Sequence, residues 1–143
     1  LWYKCAGVSV GGTMVNYAVS NVSTSGKVYL MNQASLVFTD DTVAYTARIQ
    51  LSPMDLGTNR KKYWEDIEVI GDTETSASAI TLSYTDDDYQ NFTTVSPDGD
   101  LSADRVRWTR LGSSRKRGWV LTHSAATPMR IEALEGNATI GSS

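Results

Sequence analysis

The chain has 143 residues, 41% of them apolar and 20% charged, with a formal net charge of −3. That composition fits a folded globular chain rather than a disordered one, and the mild charge calls for no global attraction to nucleic acid or to a membrane surface. No apolar run approaches the roughly 18 residues of a spanning helix, and the lone Cys5 excludes an internal disulfide.

In chain order, Trp2 to Val10 is β-prone, Gly11-Gly12 is a turn signal and Thr13 to Ser20 reads as the returning strand. Asn21 to Gly26 is a polar turn before a short strand from Lys27 to Met31. The chain opens at Leu1 inside what reads as a strand, so a piece of a longer protein is expected. Asp40-Asp41 follows Leu36-Val37-Phe38, and Val43 to Leu51 resumes as a strand that Pro53 and Gly57 end. Thr58 to Lys62 is a polar, basic lead into Tyr63–Ile70, where Tyr63, Ile67 and Val69 share one face and Asp66 and Glu68 the other. Ser76 to Tyr84 alternates Ile80, Leu82 and Tyr84 against Ala79, Thr81 and Ser83. Asp86-Asp87-Asp88 turns the chain into a short strand at 89–95, and 96–100 is a loop.

The stretch from Arg105 to Leu134 is the most informative. Val106 and Trp108 alternate with Arg105, Arg107 and Thr109; Trp119 and Leu121 alternate with Val120 and Thr122; Met129, Ile131 and Ala133 alternate with Arg130, Glu132 and Leu134. A period of two puts one set of side chains in a core and the other outward. Three consecutive antiparallel strands are expected, the first two joined at Gly112-Ser113-Ser114 and the last followed by a polar tail after Glu135. Six of the thirteen Lys and Arg, namely Arg105, Arg107, Arg110, Arg115, Lys116 and Arg117, flank that first turn.

No window carries a helical stripe, and short strands between Gly, Pro and Asp turns predict an all-β antiparallel β-sandwich. The expected organisation is terminal strands of a preceding β region over 1–31, a connecting segment over 32–57 and a β-sandwich domain over 58–143.

The residues offer little catalytic chemistry. His123 is the single histidine, and a nucleophilic site would need it beside a Ser, Cys or Asp in space; otherwise it is a half-buried or surface imidazole. Cys5 reads as a small hydrophobe, and two Cys and His in total are too few for structural zinc. Asp86, Asp87, Asp88, Asp98, Asp100 and Asp104 either bind calcium from two loops or serve turn chemistry; paired carboxylates for glycan hydrolysis would need a cleft that no insertion suggests. Asn21, Asn91 and Asn137 head glycosylation-type triplets that the abundance of Ser and Thr makes by chance. The basic stretch has three readings: contact with phosphates, contact with an acidic surface such as the Asp86–Asp88 loop of another copy, or a solvated edge that discourages aggregation. Trp2, Trp64, Trp108 and Trp119 are faces on which a sugar could stack, although the alternation points Trp108 and Trp119 inward. The expected site is therefore a protein contact made by Arg105, Arg107, Arg110, Arg115, Lys116, Arg117, Asp86, Asp87 and Asp88.

Several segments together resemble a known family. Gly26–Met31, Phe38–Asp41, Arg60–Lys62 leading into Asp66–Val69, Leu82–Asp87, Arg107–Gly112 and Pro128–Glu132 resemble, in order and spacing over roughly residues 26–135, the C-terminal part of packaged-DNA stabilisation proteins. These are tail-hub or adaptor proteins of short-tailed double-stranded-DNA bacteriophages. The resemblance implies a non-enzymatic virion protein of the tail or neck, assembled as a six-fold ring below the portal and its adaptor ring. Such a ring retains packaged DNA in the channel and mounts the tail needle, tailspikes or fibres, with no cofactor and no membrane. It also implies that residues 1–31 are the last strands of a β-propeller-like region. Where the family has a Gly-containing turn, this chain has Asp86-Asp87-Asp88. The other function class in view is a carbohydrate-binding β-sandwich module of a phage or bacterial surface protein, with a tail-associated glycan hydrolase as a third.

Overall fold

A computed structural model of the chain describes residues 2–20, 26–31, 39–40, 43–103 and 105–142. The side chains of Trp2 and Cys5, the turn expected at 21–25, the residues 36–38 and Asp104 lie outside what it describes. The chain divides into two compact units, Leu1–Val37 and Phe38–Ser143.

The first unit is a three-stranded meander: β1 (Trp2–Val10), β2 (Thr13–Ser20) and β3 (Val28–Met31), each antiparallel to the next. Gly11 and Gly12 make its tight turn with φ of 59° and 83°, a region that side chains other than glycine's rarely tolerate.

The second unit contains β4 (Thr39–Asp40), β5 (Val43–Ala44), β6 (Ala47–Gln50), β7 (Lys62–Gly71), β8 (Ala79–Thr85), β9 (Thr93–Thr94), β10 (Gly99–Asp100), β11 (Val106–Thr109), β12 (Ser113–Ser114), β13 (Gly118–His123) and β14 (Ile131–Ile140). All pairings are antiparallel, and no helix occurs among the described residues. One sheet places β13 between β8 and β6, with β9 and β10 both on the far edge of β8. The other is built on β7, which carries β11 and β12 along one edge and β14 along the other. The fold is an all-β antiparallel sandwich, as the alternating pattern predicts. Its core is Trp64, Ile67 and Val69 of β7 and Val106 and Trp108 of β11, together with Ile80 and Leu82 of β8, Trp119 and Leu121 of β13, Leu101 and Leu111. Trp64 and Trp119 meet edge to face, ring centroids 5.4 Å apart, as aromatic quadrupoles favour.

Four expectations are corrected. First, β11, β13 and β14 are not neighbours. β11 and β14 flank β7, whereas β13 lies in the other sheet. The turn at Gly112 keeps the chain on the edge of β7, where Ser113 faces Tyr63, and Arg115–Arg117 then carries it across to the opposite sheet. Second, Tyr63 does not share the face of Ile67 and Val69. It is exposed, while Trp64, Asp66, Ile67 and Val69 are buried. An irregularity opposite Glu65, where Asn137 faces Asp66 and Ala138 faces Trp64, shifts the alternation by one residue. A second shift between Ile131 and Ala133 turns both Ile131 and Leu134 onto the core.

Third, the polar tail is strand: β14 pairs with β7 to Ile140, and Gly141 N donates to Lys61 O at 2.8 Å. Gly136 permits this, since a Cβ there would sit 2.5 Å from Ile67 Cδ1. Fourth, the segment 32–57 is more than a connector. β6 pairs with β13, and Leu51 N and Met54 N donate to the carbonyls of Trp119 and Arg117. The strand expected at 89–95 shrinks to β9, and part of the loop at 96–100 becomes β10.

Candidate functional site

The basic stretch begins on β11. Arg105 and Arg107 are exposed, two residues apart; Arg107 lies opposite Glu68 of β7, and each arginine reaches diagonally, Arg105 to Glu68 and Arg107 to Asp66. Arg105 grips Glu68 with two donors, Nη2 lying 2.5 Å from Oε2, and Arg107 Nη2 lies 2.6 Å from Asp66 Oδ2. The Arg107 hydrogen bond holds the Asp66 carboxyl below its ordinary range, and the Arg105 bond does the same for Glu68. Asn137 of β14 donates to the other Asp66 oxygen at 3.0 Å, so Asp66 ties β11, β7 and β14 together.

The crossing segment is neutralised by the Asp loop of its own chain. Arg117 is buried and donates from Nε and Nη2 to both oxygens of Asp86, at 2.7 and 2.6 Å. Its remaining amine reaches Leu111 O, and its guanidinium lies 3.8 Å from the centre of the Tyr84 ring. Lys116 Nζ lies 2.6 Å from Asp88 Oδ1, in an exposed pair. Asp87 serves its own turn instead: it accepts from Asn91 N at 2.9 Å, Asn91 Nδ2 at 2.6 Å and Thr85 Oγ1 at 2.7 Å. The Asn91 backbone bond is the largest of the effects that lower its pKa to about 2. Asp100 likewise accepts from Ser78 N and from Ser102. No three acidic, His or Cys side chains converge to hold a metal among the described residues.

Of the nine residues expected to meet a partner, six therefore satisfy one another or neighbouring carboxylates: Arg105, Arg107, Lys116, Arg117, Asp86 and Asp88. Asp87 closes its turn. Arg110 and Arg115 have no ion pair among the described residues.

His123 is buried and does lie beside a serine. Its Nε2 is 2.9 Å from Ser78 Oγ, which is in turn 2.6 Å from Thr127 Oγ1. Ser78 has no solvent exposure and His123 has 3%, so the pair is closed to any substrate. Burial holds the imidazole below its ordinary pKa, a nearby Glu74 opposing weakly. The cluster joins the start of β8 to the end of β13.

Two openings on the sandwich lie beside the cations Arg110 and Arg115. A cleft of about 560 Å³ lies between the residues 93–97 and 109–112, with Tyr84 in its wall and Arg110 at its rim. Arg110 takes a φ of 59°, unusual for a residue with a side chain, and its N donates to Glu65 O at 3.2 Å. A shallower depression of about 310 Å³ is lined by Thr58, Asn59, Arg60, Lys61 and Arg115. Sequence reading notes the run Arg60-Lys61-Lys62, but nothing local places it beside Arg115.

Comparison with models of known protein families, with curated proteins and with solved structures finds no match.

Proposed function

We propose that the chain is a structural, non-enzymatic component of a virion. The reading is a tail hub or adaptor of a short-tailed bacteriophage, acting in a ring with further copies and neighbouring tail proteins. The resemblance over residues 26–135 suggests this identity, and one structural observation supports an assembly role most directly. The three-stranded unit leaves Val8, Met14, Val28 and Leu30 exposed, Met14 by 67%, and buries only Ala18 among its described apolar residues. A sheet with that much apolar surface gains by being covered, and protein–protein contact is the common way. The sealed Ser78–His123 pair is consistent with a non-catalytic role.

Mass measurement by sedimentation across a wide concentration range tests the proposal, together with electron microscopy of the particle that contains the chain. The expected result is a closed ring, six-fold by the resemblance, on the particle axis. A chain that stays monomeric at every concentration and is missing from purified particles would overturn it.

A second reading, a carbohydrate-binding module, draws on the cleft beside Arg110, where Thr93, Thr94, Ser96 and Thr109 offer hydroxyls. It no longer draws on stacking at Trp64, Trp108 or Trp119, which are all buried. A glycan array without hits removes it.

A further inference from the structure

Several cations among the described residues are matched. Arg105, Arg107, Lys116, Arg117 and Arg130 each have a carboxylate, and Arg48 lies 4.9 Å from the centre of the Phe92 ring. Against that background Arg60, Lys61 and Arg115 line one depression, and no carboxylate lines it with them. None of the three has an ion pair among the described residues. The nearest acids along the chain are engaged elsewhere: Asp55 accepts from Gly57 N at 2.9 Å, and Glu65 accepts from Thr139 Oγ1.

Lys62 adds a fourth positive group beside the depression, bonded to two of the residues that line it. Lys62 has no solvent exposure, and its Nζ donates to two carbonyls, those of Thr58 and Arg115, the latter at 2.5 Å. It pins together the two segments, 53 positions apart, that bear the free cations. Thr58 and Asn59 supply neutral polar groups on the same wall. A pocket that gathers unpaired guanidinium and ammonium groups focuses positive potential, even on a chain of net charge −3. Arginine forks fit tetrahedral oxyanions that carry more than one negative charge better than they fit a single carboxylate lying among several cations.

The structure assigns to this depression a phosphate-group binding site, formed by Arg60, Lys61 and Arg115 beside the Lys62 staple. The site stands whether or not the chain assembles into a ring, so its failure leaves the assembly reading untouched.

The test uses the full chain with two probes, pyrophosphate and a short single-stranded oligonucleotide, followed by calorimetry and by amide shifts in NMR spectra at low salt. Pyrophosphate is expected to shift amides around residues 58–61 and 115. The double variant Arg60→Gln/Arg115→Gln is expected to weaken binding at least ten-fold without lowering the melting temperature, because neither side chain has a partner to lose. Arg130→Gln, which removes a paired surface cation elsewhere, leaves binding unchanged. If the oligonucleotide also binds, with log K falling against log salt by a slope of roughly −2 for three phosphates neutralised, the phosphate belongs to a nucleic-acid backbone; if only pyrophosphate binds, it is a small phosphate ligand. Binding of neither probe, or binding equal in the double variant, overturns the assignment.

Discussion

Arg117 and Asp86 hold each other through two hydrogen bonds of 2.7 and 2.6 Å, with the arginine side chain 2% exposed and the aspartate 39%. This pair is where the chain passes from one sheet to the other, so the crossing carries its own charge compensation. Removing Asp86 leaves the guanidinium buried without its counter-ion. Asp86→Asn is expected to cost about 1.5–3 kcal/mol in denaturant unfolding. Lys116→Ala, which breaks the exposed neighbouring pair, should leave the unfolding midpoint unchanged. Equal effects of the two substitutions would refute this reading of the crossing.

The two buried tryptophans at the sheet interface differ in their N–H groups. Trp64 Nε1 donates to Ser114 Oγ at 2.8 Å, whereas Trp119 Nε1 is buried without a partner. Both lose similar volume on replacement by phenylalanine, but only Trp64→Phe orphans a hydroxyl, while Trp119→Phe removes an unmet donor. Trp119→Phe is therefore expected to be less destabilising by about 1–2 kcal/mol. Thermal or denaturant unfolding of the two variants gives the answer, and the reverse order would contradict it.

Gly99 lies where the edge of one sheet touches the other. A Cβ there would fall 2.4 Å from Val106 Cγ1 and 2.8 Å from Trp108 Cζ2. Gly99→Ala overpacks this contact and should cost about 1–3 kcal/mol. Gly57→Ala is the useful contrast: its Cβ meets nothing, and its penalty comes only from the backbone φ of 71°. Near-UV circular dichroism should change for Gly99→Ala alone.

His123 and Asp87 contribute to the response to acid in separate windows, with the lowered carboxyls of Asp66, Glu68 and Asp100 adding to the lower one. The folded pKa of His123 is lowered, so the unfolded chain takes up a proton first as pH falls through about 6.5, and stability declines from there until the folded imidazole also titrates. Asp87 is also lowered, to about 2, so its contribution is present above its unfolded value of 3.8 and is lost as pH falls from there toward 2. His123→Gln should flatten the upper limb of the stability profile, and Asp87→Ala the lower one. A profile in which His123→Gln leaves the upper limb as steep as before would rule out the imidazole as its origin.

The class of the fold and most of its interior are legible in the amino-acid sequence alone. Alternation marked Val106, Trp108, Trp119 and Leu121 as inward, and these are core residues. Gly11-Gly12 placed a turn that the backbone makes. Such features are local: a period of two and a glycine's freedom need no knowledge of the partner strand.

Which strands are neighbours emerges only in the folded chain. Period two says that a side chain faces a core, but not which sheet supplies its strand, so β11, β13 and β14 read alike and yet lie in different sheets. A single bulge opposite Glu65 reverses the alternation and moves Tyr63 outward, and no residue type announces it. The charges follow the same logic. Arg117 meets Asp86 across 31 positions, and Arg115 meets the segment at Arg60 through Lys62 across 53. Electrostatic and hydrogen-bonding energies depend on distance in space, and strand pairing alone fixes that distance for residues so far apart in the chain.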